Sequence, residues 1–358
     1  MDLPELKIGQ FVAKIPIVQG GMGVGISLST LAGEVALNGG IGVISGVEIG
    51  FNEPDYLKNK REANLRALRS HIKKARDICK GGILGVNIMA VLNNFEEIAI
   101  EAVKQKIDII FSGAGLPLKL PQFTIGTDTK TAPIVSSGRA AAVICKKWHK
   151  HYGVVPDAIV VEGPLAGGHL GFSETEIDQP SFQLSNLLKN VLDAIKPYEE
   201  IYKKKIPVIV AGGIFSGKDI ADLIKAGASG VQMATRFVAT YECDASEEFK
   251  KAYINAGFDD VQIIHSPVGM IGRAIKNKFL TDVAAGYKIP IRCLCNCLKP
   301  CNPVNAPYCI ADALINAQRG NLDKGFAFAG ANVYKIKEIV SVQQLMNELV
   351  SEAKNYMK

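Results

Sequence analysis

One decapeptide concentrates the reactive chemistry of the chain: Glu162-Gly163-Pro164-Leu165-Ala166-Gly167-Gly168-His169-Leu170-Gly171. It sets a single imidazole in a loop too rich in glycine to be a simple helix cap. Histidine is the side chain best matched to proton transfer near neutral pH, so His169 is the candidate general base. The competing reading is a histidine that only fixes its loop by hydrogen bonding. The other histidines offer less. His71 falls in mid-helix, His149 and His151 at a helix end, and His265 in a later irregular stretch, so each reads as structural or solvated. No pair of histidines or carboxylates has the helical spacing of a zinc protease.

Glycine clusters supply a second kind of chemistry. Gly20-Gly21-Met22-Gly23-Val24-Gly25 would let backbone lie flat against a planar ring, with Met22 as an adaptable apolar contact. Asn87 ends an apolar run, where its amide can donate and accept at the edge of a heterocycle. Gly212-Gly213 and Gln232-Met233-Ala234-Thr235 offer bare N–H groups and a hydroxyl that can cradle a phosphate. A helix starting near Ser216-Gly217-Lys218-Asp219 would add its positive end. A phosphate pocket joined to a flat, amide-lined ring site points to flavin mononucleotide (FMN) rather than a sugar phosphate. Glycines needed only for tight turns are the plainer alternative.

The chain has 8 cysteines. Cys79, Cys145 and Cys243 are scattered, whereas Cys293, Cys295, Cys297, Cys301 and Cys309 crowd together. Residues 1–11 carry Asp2, Glu5 and Lys7 and lack the apolar core of a secretion signal, so a reducing, cytoplasmic setting is expected and disulfides are not. Thiolates suit zinc or an iron–sulfur cluster, and in an extended segment Cys293, Cys295 and Cys297 would point the same way. Their spacing matches neither the usual zinc pattern nor the ferredoxin runs. Buried small hydrophobes are the competing reading, and no metal ligand set is assigned.

These groups need a scaffold, and the sequence repeats one. Apolar, β-branched runs begin at Pro16, Ile41, Ile83, Asp108, Pro133, Asp157, Pro207 and Gly230, each ending in small or polar residues and followed by a helical pattern. Continuous rather than alternating runs are the mark of parallel strands buried on both faces. Eight strand–helix units predict an α/β fold, a (β/α)8 TIM barrel, in which strand ends and the loops after them build the active site. An open doubly wound sheet is the alternative, but no strand leads into a G-x-G-x-x-G turn. The barrel is expected over residues 1–240. An irregular, cysteine-rich insertion packed on it should follow over 241–315, and helices completing the barrel over 316–358. Residues 52–64 read as a loop, and 171–180, with Ser173, Glu174, Glu176 and Asp178, as an extended loop over the barrel mouth.

Composition sets the outer bounds. Hydrophobic residues are 48% of the chain, enough for a large core, and the net charge of +6 is spread without a basic block. Neither nucleic acid nor membrane is expected as a partner; a small-molecule substrate is, and a homodimer is left open. No run of 18 apolar residues occurs.

Six motifs in order, PIVQGGMGVGIS, GVNIM, FSGAGLP, EGPLAGGHLG, PVIVAGGI and GVQMATRF, make residues 8–240 similar to the nitronate monooxygenase family. This family was formerly called the 2-nitropropane dioxygenases, and it includes related flavin-dependent enoyl-ACP reductases. The resemblance implies an FMN-dependent barrel. It puts Gly21, Met22 and Gly23 at the ring, Asn87 and Glu162 at its edge, and Gly167, Gly168, Gly212, Gly213, Gln232, Met233, Ala234 and Thr235 in the remaining cofactor segments. His169 matches the histidine of the family's G-G-H motif, a base toward neutral nitroalkanes. Two activities follow: oxidation of alkyl nitronates by O2 to carbonyl compounds and nitrite, or NAD(P)H-driven reduction of an enoyl thioester. Family members often carry Gln at the position of Glu162 and Glu at that of Leu165, which changes hydrogen bonding near the flavin. A sensor that holds flavin or a metal cluster without turnover, and a colourless sugar-phosphate barrel, complete the alternatives.

Overall fold

The computed structural model describes residues 2–291, 293 and 297–357. All eight apolar runs are strands: β1 Ile17–Gln19, β2 Ile41–Ser45, β3 Ile83–Asn87, β4 Ile109–Ser112, β5 Lys130–Val135, β6 Ile159–Glu162, β7 Val208–Ala211 and β8 Gly230–Met233. They pair in parallel and in order, and β8 closes on β1 through Gln232 opposite Val18. The protein is a closed (β/α)8 barrel. Strands this short must be buried on both faces to be stable, and they are. Val43, Phe111, Val160 and Ile209 fill the interior, together with Leu6 and Ile8 from a hairpin of strands Leu6–Ile8 and Phe11–Ala13. Ile44, Val86, Ile110 and Val161 pack outward against the helices.

Those helices are α1 Ser29–Leu37, α2 Lys60–Cys79, α3 Phe95–Lys104, α4 Pro121–Thr124, α5 Gly138–Tyr152, α6 Leu184–Tyr202 and α7 Gly217–Lys225. Two boundaries differ from expectation. Helix α2 begins at Lys60, so only 52–59 of the polar stretch is loop. Strand β5 begins three residues before Pro133, because Lys130, Thr131 and Ala132 pair with Ile109, Ile110 and Phe111. The Thr131 N–H and hydroxyl also donate to Asp157 (3.0 and 3.3 Å), a polar start that hides the strand.

After β8 the chain makes a short helix α8 (Thr235–Val238) and leaves the barrel wall. The stretch 241–315, expected to be irregular, holds α9 Glu247–Asn255, an antiparallel pair β9 Val261–His265 and β10 Ile271–Ile275, α10 Lys278–Ala284, and the start of α11 Ile310–Gln318. Strand β10 also pairs with the two-residue strand Gly168–His169, Gly272 facing His169 and Arg273 facing Gly168. This excursion therefore grips the histidine loop. The chain then returns as α12 (Val342–Tyr356), which packs on α7 and α1 and takes the eighth helix position. Ser341 starts α12 with a reciprocal cap: its hydroxyl accepts from the Gln344 N–H, and the Gln344 side chain accepts from the Ser341 N–H. Leu345, Met346 and Leu349 are its buried stripe. Among the described residues no helix is long and apolar enough to cross a membrane.

Candidate active site

A cavity of about 280 Å³ opens at the C-terminal end of the barrel strands, the end at which barrels build their sites. Every candidate drawn from the sequence lines it: Gly21, Met22 and Gly23 after β1, Asn87 at the end of β3, and Glu162 at the end of β6. Gly167, Gly168 and His169 come from the following loop, Gly212 and Gly213 follow β7, and Gln232, Met233, Ala234 and Thr235 close β8. The side chain of Met233 itself turns into the apolar layer outside the barrel, so Met233 offers the cavity backbone only. Two glycines are fixed by crowding. A Cβ on Gly21 would stand 2.3 Å from that of Asn87, and one on Gly167 would stand 2.5 Å from the backbone of Ala329 and Gly330.

The histidine is held from three sides. Its Nε2 lies 2.8 Å from the Ser266 hydroxyl, between β9 and β10. Its ring packs against Phe328 at 5.1 Å between centroids, and its backbone pairs with Gly272. Behind it, the buried Arg273 guanidinium donates to the carbonyls of Pro164 and Ala166, the latter at 2.8 Å, and pins the loop. Burial holds the His169 pKa down to about 4, so the imidazole is neutral at ordinary pH.

Glu162 contrasts with its neighbours. No side chain among the described residues pairs with its carboxyl, and burial pushes its pKa up to about 7. The amides of Asn87 and Gln232 also line the cavity without a hydrogen-bond partner among the described residues. Glu48, on the rim, is by contrast paired with Lys60 at 2.7 Å and accepts from the Tyr56 hydroxyl.

One expectation is corrected at α7. Its cap is present, Ser216 accepting from the Asp219 N–H and Asp219 from those of Phe215 and Ser216. The Gly217 N–H donates to Glu352 at 2.7 Å. Groups of the chain itself therefore already take the N–H donors at the start of α7 that were expected to add to a phosphate site, and the strand-end N–H groups are left as its candidates. Residues that sequence reasoning missed stand nearby: Gly330, whose N–H donates to the Thr235 hydroxyl (3.0 Å), and Asn332, whose amide donates to the Gly213 carbonyl (2.6 Å). The run Phe326-Ala327-Phe328-Ala329-Gly330 carries the same apolar-to-glycine signature as the barrel strands and marks the first of them.

Of the cysteine cluster, Cys295 lies outside the described residues. Cys293 is exposed, while Cys297, Cys301 and Cys309 are half-buried thiols. Cys297 lines the cavity, and burial pushes its pKa up to about 12, so it remains a thiol. Among the described residues no group of three or more His, Cys, Asp or Glu is arranged to hold a metal ion. The other histidines stand apart from the cavity. His71 on α2 meets the Ser29 hydroxyl at 3.1 Å, His149 the Tyr202 hydroxyl at 2.8 Å, and His265 the Glu174 carboxylate at 3.2 Å.

Comparison with known proteins adds to this geometry. The sequence profile described as nitronate monooxygenase matches residues 5–352. A protein of Staphylococcus aureus (strain JH9) named "Probable nitronate monooxygenase" is 26% identical over 287 residues, covering 75% of this chain and 77% of its own. Among solved structures, FabK from Thermotoga maritima matches with a TM-score of 0.73 and 26% identity, over 95% of this chain and 93% of that one. A nitroalkane oxidase from Streptomyces ansochromogenes, at 21% identity and a TM-score of 0.73, shares the fold over 96% of both chains.

Proposed function

The chain belongs to the nitronate monooxygenase family and is an oxidoreductase, and from that premise we propose that it binds FMN in the strand-end cavity and oxidises alkyl nitronates with O2 to carbonyl compounds and nitrite. One observation carries the cofactor reading. Asn87, Glu162 and Gln232 line one cavity, floored by glycine, with no partner for their polar side chains among the described residues. All three are half-buried and open to the cavity; polar groups without protein partners take them from water or from a ligand, so this edge fits a flat heterocycle that would supply them. Gly21 to Gly23 would lie against the ring, and Gly213, Ala234 and Thr235 would hold the phosphate. FMN, when bound, supplies the electron acceptor of the reaction.

His169 is the proposed general base. It is neutral above about pH 4, and among the described residues its ring is hydrogen-bonded through Nε2 alone, at Ser266. With the Nε2–H donated to the hydroxyl, Nδ1 keeps a lone pair for the α-proton of a neutral nitroalkane. A preformed nitronate has already lost that proton and does not need the base. Replacing His169 by Ala should therefore cut turnover of neutral nitroalkanes by about 100-fold or more, with nitronate turnover and bound flavin retained. Unchanged nitroalkane turnover, measured as nitrite release, would remove His169 from the proton transfer.

The second reading, reduction of an enoyl thioester by NAD(P)H, has its own support. The outer cavity wall is apolar, built from Leu298, Ile310, Leu314 and Phe328, which suits an acyl chain as well as a small nitronate. The likeness to FabK also spans nearly the whole chain. A small-molecule substrate is common to both readings.

A further inference from the structure

Glu162 has no role in the proton transfer assigned to His169, yet it is the least compensated ionisable group in the cavity. It ends β6 with its backbone opposite Ala211 of β7, while Val161 before it faces Val135 of β5. Neither neighbouring strand end brings a charge: Ile134 and Val135 on one side, and Ala211, Gly212 and Gly213 on the other, are uncharged. Leu184, at the start of α6, packs beneath Gly163. The titratable groups sharing the cavity are Glu48, His169, Tyr253 and Cys297. Glu48 is occupied by Lys60, His169 by Ser266, and the Tyr253 hydroxyl donates to the Phe328 carbonyl. The Cys297 thiol is itself held neutral by burial. None of them pairs with Glu162, and burial is the only influence on its ionisation.

Glu162 is half-buried and lines the open cavity, where water solvates its carboxyl; a flavin filling the cavity would displace that water, and a carboxylate left there with no counter-charge or donor is strongly disfavoured. A carboxylic acid is not, because it carries one O–H donor beside its carbonyl acceptor. The edge of an isoalloxazine presents several acceptor atoms and one N–H, so it suits the neutral acid and repels the anion. Resting on the flavin reading above, we infer that Glu162 serves as a protonated carboxylic acid that donates a hydrogen bond to the bound flavin ring, and that flavin affinity follows the protonation of this one carboxyl.

The sign follows from linkage. If the neutral acid binds flavin better, bound flavin raises the carboxyl pKa further above its free value of about 7. Affinity is then constant below that value and falls above it, by up to about tenfold per pH unit, until the bound form also ionises. Glu162→Gln keeps a donor and an acceptor but cannot ionise.

The test is FMN binding to the apoprotein, followed by fluorescence quenching from about pH 6 to about pH 9, a range that brackets the free carboxyl value. Wild type should lose affinity as pH rises, and Glu162→Gln should not. The FMN phosphate titrates near pH 6 in both proteins, so the difference between them isolates the carboxyl. An infrared band of a protonated carboxyl in the neutral-pH holoprotein, removed by Glu162→Gln, is the second readout and requires only that wild type fold. A wild-type affinity that is flat or rises with pH, a variant that declines in parallel, or absence of that band overturns the inference. Those outcomes leave flavin bound. A wild type that binds no flavin at any pH fails the cofactor reading first, and this inference with it.

Discussion

At the scale of residues, the proposed chemistry rests on His169 and Glu162. Burial acts on both and pushes both toward neutrality, the imidazole by lowering its pKa to about 4 and the carboxyl by raising its own to about 7. A base needs a free lone pair and an orientation, and the orientation is assigned to Ser266. Ser266→Ala should lower kcat on neutral nitroalkanes by about tenfold through misplacement of the ring, leave KM and flavin content nearly unchanged, and regain activity as Ser266→Thr. A purely structural serine would instead show its loss in melting temperature and flavin content. The pH profile adds a check: nitroalkane turnover should hold steady as pH falls and drop only as His169 protonates near pH 4. The sequence made the strand-end residues legible, because glycine pairs and amides closing apolar runs announce themselves locally. Ser266 was not legible, since its partner lies 97 positions away and nothing around either residue signals the contact.

Elements come next, and here the barrel and its excursion differ in how plainly they are written. Continuous runs such as Ile41–Ser45 and Val208–Ala211 are buried on both faces and have no polar phase to confuse. The pair β9 and β10 was hidden. In Val261–His265, partly exposed residues surround the single buried Ile264, and an arginine in β10 reads as solvent-facing until the loop carbonyls it serves are in view. Helix α12 was expected among the closing helices, but its role as the eighth outer helix comes only from its packing on α7 and α1. Leu349 is fully buried in that seam. Leu349→Ala should cost about 2–5 kcal/mol of stability, read as a lower melting temperature. Flavin affinity measured below the transition should persist, because the seam lies outside the barrel wall and apart from the cavity.

For the whole molecule, the fold and family were within reach of the sequence, whereas the choice of substrate was not. The reason is physical. The cavity floor is set by strand ends that a shared barrel fixes, while the outer wall is made by Leu298, Ile310 and Leu314 from the excursion, and no local pattern tells that this stretch folds back over the strand ends. Both proposed reactions would use the same floor and wall, so what reduces the flavin separates them. The decisive measurement is anaerobic reduction of the flavin in the purified protein, followed by absorbance with an alkyl nitronate, NADH and NADPH added separately. The account predicts that nitronate bleaches the flavin and that neither nicotinamide does. Bleaching by a nicotinamide with none by nitronate would contradict it and assign the protein to enoyl reduction, and a preparation that cannot be loaded with flavin would contradict both readings.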